Sequence, residues 1–380
     1  MSETLVLSNA EIVTAEHQFR GYVVIHQGRI AEIGEGRSPE RGLDLNGDFL
    51  LPGLVELHTD HLEVHFMPRP KVEWPAISAV LAHDAQVIGS GITTVFDALR
   101  VGNDYDDEKF GARMKKLADA IAAAKGQGLT RAEHFVHLRC EISCADVVDE
   151  MQPFLTDPQL KLVSVMDHTP GQRQFTDVSK WKTYYAGKRG ASEAEMEERI
   201  IRRRSIHAQF ADANRRAIVD LCQRHGVTLA SHDDATLEHV EEAIADGMHI
   251  AEFPTTVEAA AASHEAGMKV LMGAPNVVRG GSHSGNVSAR ALAEEGVLDV
   301  LSSDYVPTSL LMGAFALADV GAMGGLPGAI RLVSKNPADA AGLSDRGEVA
   351  EGKRADLIRV DAASGQPVIR AAWREGRRVS

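Results

Sequence analysis

The chain has 380 residues, is 44% hydrophobic and carries a formal net charge of −14. So acidic a composition implies no broad basic surface with which to displace counterions from a phosphate backbone, which argues against a nucleic-acid binder. No stretch approaches the ~20 apolar residues that cross a bilayer, and Met1 to Ala10 lacks a basic segment followed by an apolar one, so a cytoplasmic protein with no membrane partner is expected.

Residues 4 to 50 read as short strands broken by tight turns: Leu5–Leu7, Tyr22–His26, Ile30–Ile33 and Phe49–Leu51, with Gln27-Gly28 and Asn46-Gly47 as hairpin-type turns. From Leu54 the texture changes. Short β-rich runs alternate with longer stretches of helical periodicity, the pattern of a parallel sheet built from strand-helix units. Strands are expected at 54–58, 92–96, 133–139, 160–166, 227–231, 248–253, 268–273 and 298–303. Eight such units predict an α/β fold, a TIM-type (β/α)8 barrel over residues 54–344. The charged segment 176–213 is longer than an ordinary barrel connection and is read as an insertion, either a lid or substrate grip or a plain helical excursion. Helical runs follow at Leu310–Met323 and Asn336–Ala341. Strand texture returns at Ala355–Asp361, and the tail through Val368 and Trp373 is expected to join the N-terminal strands in a small β-sandwich domain of residues 1–53 plus 345–380.

The barrel strands end in side chains suited to metals. His58 and Asp60 sit one residue apart at the end of an apolar strand, where alternate side chains point the same way. Glu141, His168, His232 and Asp304 also follow strand-like runs, and the C-terminal ends of barrel strands converge on one face. Neutral imidazoles with carboxylates suit divalent ions, and a shared carboxylate can hold two of them. His58, Asp60 and Asp304 are read as ligands of the first ion, His168 and His232 as ligands of the second, with Glu141 bridging. Asp304 is also the candidate catalytic base. Simpler roles stand beside these: His168 as a turn histidine, Glu252 as a ligand or a salt-bridge partner, and Asp233 or Asp234 as the cap of a helix beginning near Thr236. Cys140, Cys144 and Cys222 lack zinc-finger spacing, so neither a disulfide framework nor a thiolate cluster is expected. The loop Arg279-Gly-Gly-Ser-His-Ser-Gly-Asn286 could turn N–H groups toward phosphate oxygens, with Arg279 and His283 adding charge, or could simply turn the chain. The run Arg202-Arg203-Arg204 is read as a solvated helix face.

Several motifs in order carry a resemblance. Leu50-Leu-Pro-Gly-Leu-Val-Glu-Leu-His58, the Asp on the last barrel strand and Gly352-Lys-Arg-Ala-Asp-Leu-Ile358 resemble the amidohydrolase superfamily. His58-Thr-Asp-His-Leu-Glu63, Pro68-Arg-Pro-Lys71, His137-Leu-Arg-Cys-Glu141, Asp167-His-Thr-Pro-Gly-Gln-Arg-Gln174, Ser231-His-Asp-Asp234 and Ser303-Asp-Tyr305 are similar to its phosphonate-metabolism diphosphatase branch. Asp60 replaces the second histidine of the superfamily's usual H-x-H, which makes the site harder and more anionic. The resemblance implies two divalent ions (Zn²⁺, Mn²⁺ or Mg²⁺) and a small phosphorylated substrate, a ribose 1-methylphosphonate 5-triphosphate hydrolysed to the 5-phosphate and pyrophosphate. Arg69, Lys71, Arg139 and Arg279 are candidate contacts to the departing pyrophosphate, each otherwise a rim salt-bridge residue. A homo-oligomer is compatible with the sequence. Two competing functions remain at this level: a cyclic amidohydrolase or deaminase acting on a C–N bond, and a non-catalytic metal-binding barrel that serves as an assembly subunit.

Overall fold

Aliphatic runs of three to ten residues that alternate with amphipathic stretches have one good way to bury both faces, which is a parallel sheet covered by its own helices. The computed structural model describes residues 4–102, 110–173, 178, 181, 193–281 and 286–380. The amino-terminal strands are β1 (Thr4–Val13), β2 (Gln18–His26), β3 (Arg29–Glu35), β4 (Leu43–Asp44) and β5 (Phe49–Pro52). Next come β6 (Leu54–Thr59), β7 (Ile92–Val101), β8 (Glu133–Glu141), β9 (Leu160–Met166), β10 (Thr228–His232), β11 (Ile250–Glu252), β12 (Lys269–Gly273) and β13 (Val300–Ser302). The chain finishes with β14 (Leu357–Asp361), β15 (Val368–Arg374) and β16 (Arg377–Arg378).

Among the described residues, β6 to β13 form one eight-stranded sheet in sequence order with every neighbouring pair parallel. Each of the eight expected strands overlaps one of these. The sheet closes through a single bridge between Thr59 and Asp304. Val55, Leu57, Phe96, Phe135, Leu162, Ala230, Ile250, Leu271 and Val300, one or two from each strand, fill the interior. The opposite faces of the strands pack against the surrounding helices.

The seam between β6 and β13 has almost no ladder of its own. Its lower half is spanned by residues 332–333, whose carbonyls accept the Leu301 and Val55 N–H groups at 2.9 Å each. Its upper half is held by buried Glu56, whose carboxylate accepts the backbone N–H of His58 at 2.7 Å and that of Ser303. The Asp304 N–H donates to the His58 carbonyl at 3.1 Å. Burial pushes the Glu56 carboxyl up to about 7 despite these bonds.

The terminal strands make the second sheet, in the order β16-β15-β14-β5-β1-β2-β3 with β4 on β1. Gln27 and Gly28 both take positive φ and join β2 to β3 as a tight hairpin. Asn46-Gly47 adopts the same left-handed pair without making a hairpin, because β4 and β5 both run parallel to β1 instead of pairing with each other. Gly53 links this sheet to the barrel, and a Cβ there would lie 2.2 Å from Thr93 Oγ1. Segment 176–213 falls partly outside the described residues. Besides Val178 and Trp181, what is described of it belongs to the 33-residue helix Glu193–His225, about 50 Å long. Asn214 on that helix donates to the carbonyls of Ile142 and Cys144 at 2.9 and 2.7 Å, fixing the loop that follows β8. All three cysteines are buried and free.

Glu133, at the start of β8, fastens the barrel to the carboxyl-terminal segment by accepting from Arg346 and Arg354, each at 2.7 Å. Burial works against its charge, but the Arg354 hydrogen bond and the Arg346 guanidinium outweigh it and hold the carboxyl down at about 2. A depressed carboxylate stabilises the fold above its ordinary value of about 4.5 and loses that contribution as pH falls toward 2. Glu133→Gln is therefore expected to lower unfolding free energy by about 2–3 kcal/mol at pH 7. In urea titrations at successive pH values, the gap between wild type and variant should shrink steadily below pH 4.5.

Candidate metal centre at the barrel mouth

Strand ends gather the chemistry. His58 is the penultimate residue of β6, Glu141 ends β8, His168 follows β9, His232 ends β10, Glu252 ends β11, and Asp304 follows β13. Three residues just past strand ends, Asp233, Phe253 and Asp304, take φ of 58°, 53° and 55°. This is the left-handed region, disfavoured for side chains with a Cβ. Each is held there by its own N–H bond to a neighbouring strand: Asp233 to the Glu252 carbonyl at 2.9 Å, Phe253 to Leu271 at 2.8 Å, and Asp304 to His58 at 3.1 Å. The strain is thus imposed at the site itself by hydrogen bonds to the adjacent strands.

Three imidazoles converge. The ring centroids of His58 and His232 are 5.9 Å apart and stacked, those of His168 and His232 5.6 Å apart, and Phe253 packs edge-on against both His58 and His232. Glu252 brackets the group from below, accepting from His58 Nδ1 at 3.1 Å with one oxygen and from His232 Nδ1 at 3.0 Å with the other. Burial opposes charge on His58, but the Glu252 carboxylate outweighs it and raises that pKa. At His232 burial wins and the pKa falls. Glu141 does for His168 what Glu252 does for the other two. Its Oε2 accepts from His168 Nδ1 at 2.6 Å, and its Oε1 accepts the His168 N–H at 3.1 Å and the Ser143 hydroxyl at 2.9 Å. Asp233 Oδ2 lies 3.7 Å from His168 Nε2 and 3.5 Å from His232 Nε2.

This arrangement fits divalent ions. A carboxylate on Nδ1 fixes the tautomer and leaves Nε2 as the ligating atom, as in metal-bound histidines. His168, His232 and Asp233 place ligand atoms within 4.8 Å of one another. His58, His137 and Glu252 do so as well, but His137 is spoken for: Nδ1 donates to the Leu57 carbonyl at 3.0 Å, and Nε2 meets Ser164 Oγ at 2.9 Å. Burial drives its pKa down to about 3, so it is a neutral core histidine.

The remaining expected residues are spread around the mouth. Asp60 lies beyond the end of β6 with a side chain 38% exposed, 3.8 Å from Arg139 Nη1. Arg69 and Lys71 are exposed in the segment after helix Leu62–Phe66, and Arg279 is exposed at the end of helix Ala274–Arg279. Gly280 caps that helix in the left-handed conformation, so the first glycine of the loop serves the helix end. His283 lies outside the described residues. Neither Asp233 nor Asp234 caps helix Leu237–Ala245; Thr236 does, its hydroxyl accepting the His239 N–H. Asp234 instead pairs with Arg173 and Ser231, because the left-handed turn at Asp233 aims it away from the helix. Within the arginine run, Arg204 reaches back to the Pro170 carbonyl at 2.9 Å.

Sequence reasoning passed over Arg100, whose Nη2 is 3.6 Å from Glu141 Oε2, and Glu56, an acid in an otherwise apolar strand. Residue type at a strand end was the available signal for Arg100. An acidic residue flanked by buried aliphatics was the signal for Glu56.

Residues 49–378 match the sequence profile of the amidohydrolase family. The chain belongs to that family. It is 46% identical over 378 residues to the alpha-D-ribose 1-methylphosphonate 5-triphosphate diphosphatase of Escherichia coli (strain K12), covering 99% of this chain and all of that protein. Its fold is shared with N-isopropylammelide isopropylaminohydrolase from Burkholderia multivorans (TM-score 0.65, 17% identity, 100% and 98% of the two chains). It is shared equally with 5-methylcytosine deaminase from Klebsiella pneumoniae (TM-score 0.66, 16% identity, 99% and 97%).

Glu252→Gln keeps the side-chain shape but presents only one acceptor to two imidazole N–H groups. Divalent-ion affinity, read by titrating metal-stripped protein, is expected to fall about 10- to 100-fold.

Proposed function

We propose that this amidohydrolase hydrolyses alpha-D-ribose 1-methylphosphonate 5-triphosphate to the 5-phosphate and pyrophosphate. The reading rests on end-to-end 46% identity to a diphosphatase, in a chain whose strand-end imidazoles and carboxylates gather at one mouth. His58, Asp60, His168, His232 and Asp304 are the proposed donors to a divalent centre, with Asp233 added by its position beside two imidazoles. Glu141 would be the carboxylate shared between the ions, and its hydrogen bonds to the ring and backbone N–H groups of His168 orient that histidine. Divalent ions bound there would supply Lewis-acid stabilisation of phosphoryl charge and lower the pKa of a water.

The protein's own residues divide the remaining work. Asp304, pinned to the His58 carbonyl through its N–H, accepts the proton of the attacking water. The water oxygen bonds to the α-phosphorus, the bond from that phosphorus to the α–β bridging oxygen breaks, and the electron pair leaves with pyrophosphate. Arg139, beside Asp60, and Arg100, beside Glu141, add positive charge at the mouth for the triphosphate. Arg69, Lys71 and Arg279 on the exposed rim are the proposed contacts of the leaving pyrophosphate, together with His283. Phe253 excludes water from one side of the His58–His232 pair.

Hydrolysis of the triphosphate in ¹⁸O-water is expected to place the label in the ribose 5-phosphate and leave pyrophosphate unlabelled. Label in pyrophosphate, or hydrolysis of cyclic amides or aminopyrimidines with no pyrophosphate release, would reject this reading. Asp304→Asn should reduce kcat by about 10²- to 10⁴-fold with unchanged far-UV circular dichroism.

A further inference from the structure

A second histidine cluster lies on the other side of the barrel wall. Phe96 and Phe135 fill the interior, so Asp97 and His134, the next and preceding residues on β7 and β8, face the helical layer. There Asp97 Oδ1 accepts from His83 Nε2 and its Oδ2 from His134 Nδ1, both at 2.8 Å. His134 Nε2 in turn faces Asp84 Oδ1 at 3.3 Å. His83 belongs to helix Ala76–Gly89. Facing it are His61 and His65, four residues apart and therefore on one face of the short helix Leu62–Phe66 that His61 precedes.

We propose that His61, His65 and His83 form a second metal site, which holds one Zn²⁺-type ion and ties the rim helix to helix Ala76–Gly89. The three ring centroids are 5.0, 5.9 and 6.0 Å apart, and the ligand atoms lie within 4.8 Å of one another. His61 Nδ1, His65 Nε2 and His83 Nδ1 are buried and have no hydrogen-bond partner. His83 itself is fully buried. A buried polar atom without a partner is destabilising, so three of them in one histidine cluster call for a ligand.

The chemistry selects its class. Because His83 Nε2–H donates to Asp97, the unpartnered Nδ1 carries the lone pair, and Asp97 with His134 behind it is the carboxylate buttress that metal-bound histidines use. The alternative grouping of His83, Asp97 and His134 is not a pocket, since both Asp97 oxygens already accept ring N–H groups. Three imidazoles without an oxygen or thiolate donor suit Zn²⁺ and exclude a Mg²⁺ or Ca²⁺ site. Zn–N bonds of about 2.0–2.1 Å would draw the three nitrogens somewhat closer and leave a fourth position for water. The ion would couple the helix that begins just past Asp60 to the barrel frame, so the site goes beyond the proposed hydrolysis and does not depend on its substrate.

The test uses full-length protein, stripped with chelator, recharged with Zn²⁺ and dialysed into zinc-free buffer. Wild type is expected to retain one more equivalent of zinc per chain than the His61→Asn/His65→Phe double variant, and one more than His65→Gln alone. His232→Ala should lose metal from the mouth while keeping this equivalent. Co²⁺-loaded wild type should show tetrahedral d–d absorption that both cluster variants lack. Crystals of dialysed wild type should give an anomalous peak at the zinc edge between the three rings. Equal zinc content in wild type and His65→Gln, or no anomalous peak between the rings, overturns the proposal. The wild-type map decides the matter even if a variant does not fold.

Discussion

Closure of the barrel at the β6–β13 seam is the constraint on which the rest depends. Parallel strands β6 through β13 accumulate side by side in sequence order, but the last has only three residues and meets the first through one bridge. Glu56 makes up the deficit by accepting N–H groups from both sides of the seam. An ionisable group at full burial is expensive unless its hydrogen bonds are good. Here they lock the backbone of His58 to that of Ser303, and Asp304 therefore sits beside His58. The proposed base and the first imidazole owe their proximity to a carboxylate that contacts neither reactive side chain.

Glu252 and Glu141 extend the same logic around the mouth. Each uses both of its oxygens as acceptors for groups that include imidazoles from other strand ends, so ring orientation is set before any ion arrives. Left-handed backbone recurs at Asp233, Phe253 and Asp304, past the ends of β10, β11 and β13, and in each case a hydrogen bond to an adjacent strand holds it. The geometry of the site is therefore distributed over the sheet instead of residing in mobile loops. The long helix Glu193–His225 adds a clamp, since Asn214 secures the loop that begins at Glu141.

The acidic character of the chain is consistent with the proposed polyphosphate substrate because charge is arranged locally. Arg100 and Arg139 stand at the mouth beside acidic partners, while four buried arginines are committed to ion pairs elsewhere. Arg346 and Arg354 serve Glu133, and Arg173 and Arg215 serve Asp234, Glu242 and Asp246. No helix among the described residues is long and apolar enough to cross a membrane.

Much of the fold was legible because it is written in local periodicity. Eight aliphatic runs separated by helical stretches determine strand count, order and parallel pairing, and the residue types at the strand ends already mark His58, Glu141, His168, His232 and Asp304 as neighbours. What only the tertiary structure decided are relations that run across the sheet. That Glu252 spans two imidazoles, that Glu56 closes the seam, and that Asp234 turns to Arg173 and not to a helix end depend on strand register and on left-handed turns, neither of which the period of a single strand encodes. The cluster of His61, His65 and His83 makes the same point. The four-residue spacing of the first pair is visible in sequence, but its third member arrives from another helix, placed there by a barrel wall whose outward face the sequence alone does not assign.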